Sequence, residues 1–227
     1  MSDIVLVSGH WPLNISFPIN TKKTIEYYCS LHNYDFYYDE QQPTEIELHH
    51  LHFRRCDILK RASQKFPNGK WFVWLDTDIF VNRMNTTIES VIDLSDTNIL
   101  YHFFYETEKN KFSVNTGVKF VSKEGINIES EIWNLRNDDL WKKFPYEQKV
   151  INEKIIPQYS DRIIIHEPHI LNCLDRLYPI EDGLFVHLCA RTNEYRNKIM
   201  NLLMEKGLND KILVKRFTLS GRTKIHN

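Results

Sequence analysis

Trp71-Phe72-Val73-Trp74-Leu75-Asp76-Thr77-Asp78 runs five apolar residues straight into two carboxylates spaced i and i+2. A strand apolar on both faces belongs in the middle of a sheet covered on both sides, and such sheets are flanked by helices. Side chains alternate along an extended backbone, so Asp76 and Asp78 project from the same side at the strand's carboxyl end. Two like charges this close raise each other's pKa unless a cation neutralises them, so the pair makes sense chiefly as a hard-metal site for Mn2+ or Mg2+. A bare D-x-D is a weak signal, because chance and capping also produce it. The apolar run before it makes this one specific.

The neighbouring segments give the sheet its company. Ile4 to Val7 reads as a buried strand opening at Ser8-Gly9 into a turn. The carboxyl ends of such strands are where open α/β sheets bind ligands. Helical spacing over 21–32, followed by a strand from Tyr34 to Tyr38, completes a βαβ unit. Thr44 and Glu47 have capping-box spacing, and Leu48, Leu51, Arg55, Ile58, Leu59, Ala62 and Phe66 repeat along one face, predicting a single helix that Pro67-Asn68-Gly69 stops. Beyond the D-x-D, strands are expected at 98–103, 113–121, 162–165 and 184–187. Helices are expected at 126–136, 146–155 and 191–206, the last with Gly207 as its C′ residue.

Composition narrows the function classes. At 227 residues, 42% hydrophobic and 26% charged, the chain is an ordinary globular protein able to bury a large core. A net charge of -1 supplies no global field for nucleic acid or an anionic membrane. A basic tail follows Leu208, with Lys211, Lys215, Arg216, Arg222 and Lys224, and reads as a solvated terminus or as a lid over a diphosphate. The four cysteines are widely spaced, which suggests neither a zinc knuckle nor a redox pair. No apolar run at the start is long enough for a signal or an anchor, so a cytoplasmic protein without a membrane segment is expected. His49, His50 and His52 invite a metal reading, but their ordinary helical setting suits surface residues better.

Several short motifs then fall in one order. Phe53-Arg54-Arg55 precedes WFVWLDTDIFVN; Asn115-Thr116-Gly117, Glu147-Gln148 and Ile170-Leu171-Asn172 follow; and Phe185-Val186-His187-Leu188-Cys189-Ala190-Arg191 closes the series. Together, over residues 4–196, they resemble the GT-A glycosyltransferases, and most of all the galactosyl-, mannosyl- and xylosyltransferase family of fungal and plant Golgi. The resemblance implies a single α/β domain over 1–227 with a mixed central sheet flanked by helices. It would comprise a Rossmann-like donor half at about 1–82, an acceptor half at about 83–207 and the basic tail at 208–227.

It also implies roles. His187 would join Asp76 and Asp78 as the third ligand of Mn2+ or Mg2+, a reasonable manganese set. Ser8 and Gly9 would border the nucleotide, Thr77 the ribose or sugar, and Asn115 and Gly117 the donor. Arg55 and Arg191 would meet the phosphates, for which the guanidinium fork is suited. Gln148 would stabilise an oxocarbenium-like donor and Glu147 would orient hydroxyls, with retention at the anomeric carbon; an inverting enzyme would instead need a base among Glu147, Asp138 and Asp139. The expected partners are a nucleotide-sugar donor, UDP- rather than GDP-linked, and a glycan acceptor. The chain is shorter than the Golgi members and has Cys189-Ala190 where they carry a small residue, Gly and Cys, which points toward an intracellular or viral glycan. Two alternatives differ in class: a non-catalytic nucleotide-sugar or glycan-binding domain, and a haloacid-dehalogenase-type phosphatase, whose D-x-D motif is poorly matched by Phe80.

Overall fold

The computed structural model describes residues 2–205 apart from 109 and 142. The expected Gly207 cap and the basic tail therefore lie outside the described residues. Strand β1 (Ile4–Gly9) and β2 (Asp35–Asp39) pair in parallel around helix α1 (Ser16–His32), and β3 (Trp71–Leu75) lies parallel on the other side of β1. Next come β6 (Asn110–Ser122), antiparallel to both of its neighbours, then β5 (Tyr101–Thr107) and β7 (Ile163–His166). The six-stranded order is β2-β1-β3-β6-β5-β7. A mixed sheet flanked by helices is what the sequence leads one to expect.

Both faces of β3 are covered, and its residues alternate between two cores. Val73 and Leu75 join Leu6, Ile25 and Phe120 on the α1 side. Phe72 and Trp74 join Val5, Val7, Leu59 and Ile128 on the side of α3 (Arg54–Lys65) and α4 (Ile126–Asn134). Helix α1 begins earlier than its periodicity predicts. Pro18 sits in its first turn, where no intrahelical N–H is needed.

The helix expected from 44 to 66 is two helices, α2 (Glu45–His49) and α3. The capping box of Thr44 and Glu47 forms as read. The break allows Arg54 Nε to reach Glu47 Oε1 at 3.4 Å, a contact that seven residues of continuous helix, about 10 Å of rise, would not allow. Arg54 also pairs with buried Asp39 at 2.5 Å. Leu48 and Leu51, expected on the apolar face, are exposed instead.

Two short strands absent from the sequence reading build a second sheet. β4 (Ile79–Val81) and β8 (Cys173–Leu174) flank β9 (Phe185–His187) in the order β4-β9-β8. Helix α5 (Glu147–Val150) continues through a π-helical turn into α6 (Ile156–Gln158), and α7 (Asn193–Glu205) packs on α1. Met200 and Ile199 of α7 share a third core with Phe17, Phe80 and Val186.

Candidate functional site

The two sheets meet at the D-x-D. Asp76 N–H donates to Gly117 O at 2.8 Å, tying the end of β3 to the middle of β6. Ile79 stands opposite His187 in the β4–β9 ladder, and Leu188 N–H donates to Asp78 O at 2.9 Å. This brings His187 Nε2 to 3.2 Å from Asp78 Oδ1 across more than 100 residues of chain. One ligand atom each from Asp76, Asp78 and His187 lies within 4.8 Å of the others. Two carboxylate oxygens and an imidazole nitrogen suit a divalent cation of borderline hardness.

A chain of amides sets the state of His187. Gly117 N–H donates to Asn115 Oδ1 at 3.0 Å, which fixes that atom as the oxygen. Asn172 must then turn its NH2 to the same oxygen, also at 3.0 Å, leaving Asn172 Oδ1 at 3.0 Å from His187 Nδ1. An amide oxygen only accepts, so the Nδ1 position carries the proton and Nε2 is the atom left for a cation. Gly117 is required here for a second reason. A Cβ on it would stand 2.3 Å from His187 Cε1.

The site is strongly charged. Burial alone would raise the pKa of Asp78, but the charge and hydrogen bond of His187, together with Arg196, hold it down at about 2. Asp76 is raised, first by burial and then by the adjacent Asp78 charge, against the pull of Arg55. Burial would depress His187, and Asp78 more than reverses this. Arg196 Nη2 is 2.6 Å from Asp78 Oδ2, while Arg55 Nη1 is 3.3 Å from Asp76 Oδ1. Trp74 Nε1–H also donates to Asp76 Oδ1, at 2.6 Å.

Beside these carboxylates lies a cleft of about 360 Å³ lined by Gly9, His10, His52, Arg55, Thr77 and Arg196, among others. A larger groove of about 850 Å³, around Asp3, Lys70 and Trp71, lies at the opposite end of β3. The converging ligand set marks the smaller one as the site. Ser8 does not line it. Its side chain is buried and donates to Leu75 O at 2.8 Å, so only Gly9 of that pair reaches the cleft. Arg191 binds Asp175 through Nε at 2.8 Å, outside the cleft lining.

Glu147 is buried in a second charged cluster. Its Oε1 accepts from Lys119 Nζ at 2.7 Å and its Oε2 from Thr116 Oγ1 at 3.0 Å. Burial would raise its pKa, but Lys119 and Arg55 pull it below the usual range. Lys119 also holds Glu129 at 2.8 Å. Cys56, Glu129 and Glu147 could otherwise be read as a metal triad, but the Lys119 ammonium already supplies its cation. Gln148 is half-buried, and its Oε1 accepts from Thr116 N–H at 3.4 Å. The histidines at 49, 50 and 52 do not converge: the His50 ring meets Phe53 and the His52 ring meets Tyr146.

Residues 17–134, just over half of the chain, match the galactosyl transferase GMA12/MNN10 family. The chain belongs to that family. It is a glycosyltransferase with a GT-A-type fold. A solved glycosyltransferase involved in the glycosylation of the major capsid of PBCV-1 is 46% identical, with a TM-score of 0.83 over 88% of this chain and 98% of that one. The fold is also shared, at 12% identity and a TM-score of 0.51, with the glycosyltransferase GlyE of Streptococcus pneumoniae TIGR4, over 89% of this chain and 63% of that one. No curated protein sequence matches the chain. Membership in a transferase family leaves the phosphatase alternative without support. No helix among the described residues is long and apolar enough to cross a membrane.

Arg196, Asn172 and Lys119 were not among the expected site residues. Asn172 stands inside a quoted motif without a role. Lys119 had a legible signal, a lysine between Val118 and Phe120 in an apolar strand. Arg196 had no local signal, because it reaches Asp78 only through the placement of α7.

Proposed function

We propose that this glycosyltransferase moves a glycosyl group from a nucleotide-diphosphate sugar to a glycan hydroxyl, with Mn2+ or Mg2+ held by Asp76, Asp78 and His187. The observation that carries this reading is the convergence of those three residues beside the cleft, with His187 Nε2 presented by the Asn115–Asn172 chain. When bound, the cation neutralises the diphosphate and stabilises charge on the departing nucleoside diphosphate. Arg55 and Arg196 border the cleft as phosphate partners, whereas Arg191 is held on Asp175 outside the cleft lining and takes no part in this scheme. Thr77 and Gly9 line the cleft where the ribose and base are proposed to lie, with Ser8 anchoring that turn to β3. The donor is proposed to be UDP- rather than GDP-linked.

Gln148 offers its amide dipole to the oxocarbenium-like donor, and the leaving phosphate takes the proton of the acceptor hydroxyl, with retention. In this scheme Glu147 is a positioning residue, because both of its oxygens hold protein groups. Asn115 and Gly117 act on the donor through His187. By likeness to the capsid-glycosylating relative, the acceptor is a protein-linked glycan.

The test is nucleotide-sugar hydrolysis and transfer with UDP and GDP donors, with Mn2+ or EDTA, on wild type and Asp78→Ala. Manganese-dependent release of one nucleoside diphosphate, lost in the variant, is expected. Release that is insensitive to both EDTA and the substitution would refute the metal-site reading.

A further inference from the structure

Three aromatic rings lead from the cleft to the surface. His52 lines the cleft, and its ring is stacked on Tyr146, with centroids 4.3 Å apart and planes within 6°. Tyr146 in turn meets Phe144 edge to face at 6.2 Å. Phe144 is 82% exposed, the most exposed of the large hydrophobic side chains among the described residues. The core does not explain it, since every other phenylalanine with described burial is buried or half-buried.

The backbone works to hold this arrangement. Tyr146 sits at φ 55° and ψ -117°, a conformation that glycine favours and a tyrosine adopts only under constraint. The residue so constrained immediately precedes Glu147 and Gln148. Strain of this kind concentrates where a side chain must be held in one place.

We propose that Phe144, Tyr146 and His52 form the acceptor platform, on which a pyranose ring of the acceptor glycan stacks its C–H face. The inference rests on the glycosyl-transfer reading of the cleft and adds to it the surface that receives the acceptor. The series is continuous with the cleft through His52 and runs out through Tyr146 to Phe144 at the surface, the direction from which an acceptor would approach the donor. The exposed face of Phe144, braced by Tyr146 and His52, matches the apolar C–H face of a sugar, and a rigid ring costs little conformational entropy on binding. Arg55 and Arg196 stand on the donor side, so the platform adds no charge and fits a neutral sugar better than a second phosphate.

Donor hydrolysis and acceptor transfer separate this proposal from the reading beneath it. The probes are methyl glycosides and disaccharides of glucose, galactose, mannose and xylose, assayed with the donor that wild type hydrolyses. Phe144→Ala is expected to leave the rate of donor hydrolysis and the Mn2+ requirement unchanged while raising the acceptor KM about 3- to 10-fold, the range of one aromatic stacking contact. Phe144→Trp is expected to restore it. Unchanged acceptor KM in Phe144→Ala, or no acceleration of wild type by any of these sugars while hydrolysis persists, overturns the platform. Wild-type cosedimentation with phosphatidylcholine vesicles that Phe144→Ala abolishes, without any change in acceptor KM, makes Phe144 a membrane contact and overturns it equally. Loss of donor hydrolysis in wild type itself would instead strike the transfer reading.

Discussion

Replacing Gly117 by alanine adds one methyl group, and the structure fixes where it goes. The new Cβ would lie 2.3 Å from His187 Cε1, 2.8 Å from His187 Nδ1 and 3.0 Å from Asn115 Oδ1. Ordinary contact begins at 3.4 Å, so the imidazole must retreat by about 1.1 Å. It has no soft way out. His187 is buried, its Nδ1 is tethered to Asn172, and its strand is laddered to β4. A displacement of that size moves Nε2 off the shared ligand point and breaks the amide chain that presents it. Loss of such supporting contacts costs about 10- to 100-fold in metal affinity, and misplacement by about 1 Å about 100-fold in rate. Mn2+ affinity, by titration against the electron-spin signal of free manganese, is expected to fall by that factor in Gly117→Ala. Gly125→Ala is the control, because its Cβ would meet Leu100 O at 2.8 Å, beyond the Trp71 end of the β3–β6 ladder and away from the ligands. It should lower thermal stability without changing Mn2+ affinity. Wild-type Mn2+ affinity in a folded Gly117→Ala protein would refute the assignment of His187 as a ligand.

Asn172→Leu removes the acceptor that orients Nδ1, and a 10- to 100-fold loss of Mn2+ affinity is expected, with a lowered melting temperature because the buried Nδ1–H loses its partner. Lys119→Met leaves Glu129 and Glu147 unpaired in the core, so a loss of about 3–5 kcal/mol in urea unfolding at pH 7 is expected, partly recovered at pH 5 as a carboxylate takes up a proton. Full wild-type stability at pH 7 would contradict that cluster. Burial, then the neighbouring His166, holds the His102 imidazole down at about 4, below its unfolded value of 6.5. The unfolded chain therefore binds the proton first, and stability should be fully present above pH 6.5 and fall by about 3 kcal/mol as pH drops to 4. Denaturation midpoints of wild type and His102→Phe from pH 7.5 to 4 check this, the variant being expected to show the flatter profile. Mn2+ should bind more tightly when UDP is present than alone, as paired titrations would reveal.

The parts of the fold that the sequence made legible are those where local pattern and burial agree. WFVWL is apolar on both faces because both faces are covered, and the Thr44–Glu47 box caps a helix as its spacing requires. The single helix over 44–66 failed because Arg54 turns inward to Asp39 and Glu47, a tertiary demand that periodicity does not carry. β4 and β8 are three and two residues long and exist only by pairing with β9, so no local signal marks them. The metal candidates were legible as residue types and order. What was not legible is how they are held: the orientation of His187 depends on Asn172, 15 residues before it, which is in turn oriented by Asn115, 57 residues earlier still. Arg191 and Arg196 could not be told apart from sequence, since only the seating of α7 on α1 turns Arg196 to Asp78 and leaves Arg191 on Asp175.

That seating has an electrostatic consequence for how the site would work. Without a metal, Asp76 and Asp78 are already balanced by Arg55 and Arg196, with His187 drawn toward its charged form by Asp78. Each carboxylate thus has a protein cation beside it. On the proposed reading, adding two positive charges to this balanced group leaves the cleft with a positive excess in a partly desolvated setting, where unpaired charge is costly. The diphosphate is what removes the excess. Its negative oxygens offer Arg55 and Arg196 partners that release them from Asp76 and Asp78, and the freed carboxylate oxygens become ligands. Each ligand thus lowers the cost of binding the other, and the coupling is reciprocal by thermodynamic linkage. On the proposed reading, a site built this way would bind metal and donor as a unit, with the arginines passing from the carboxylates to the diphosphate.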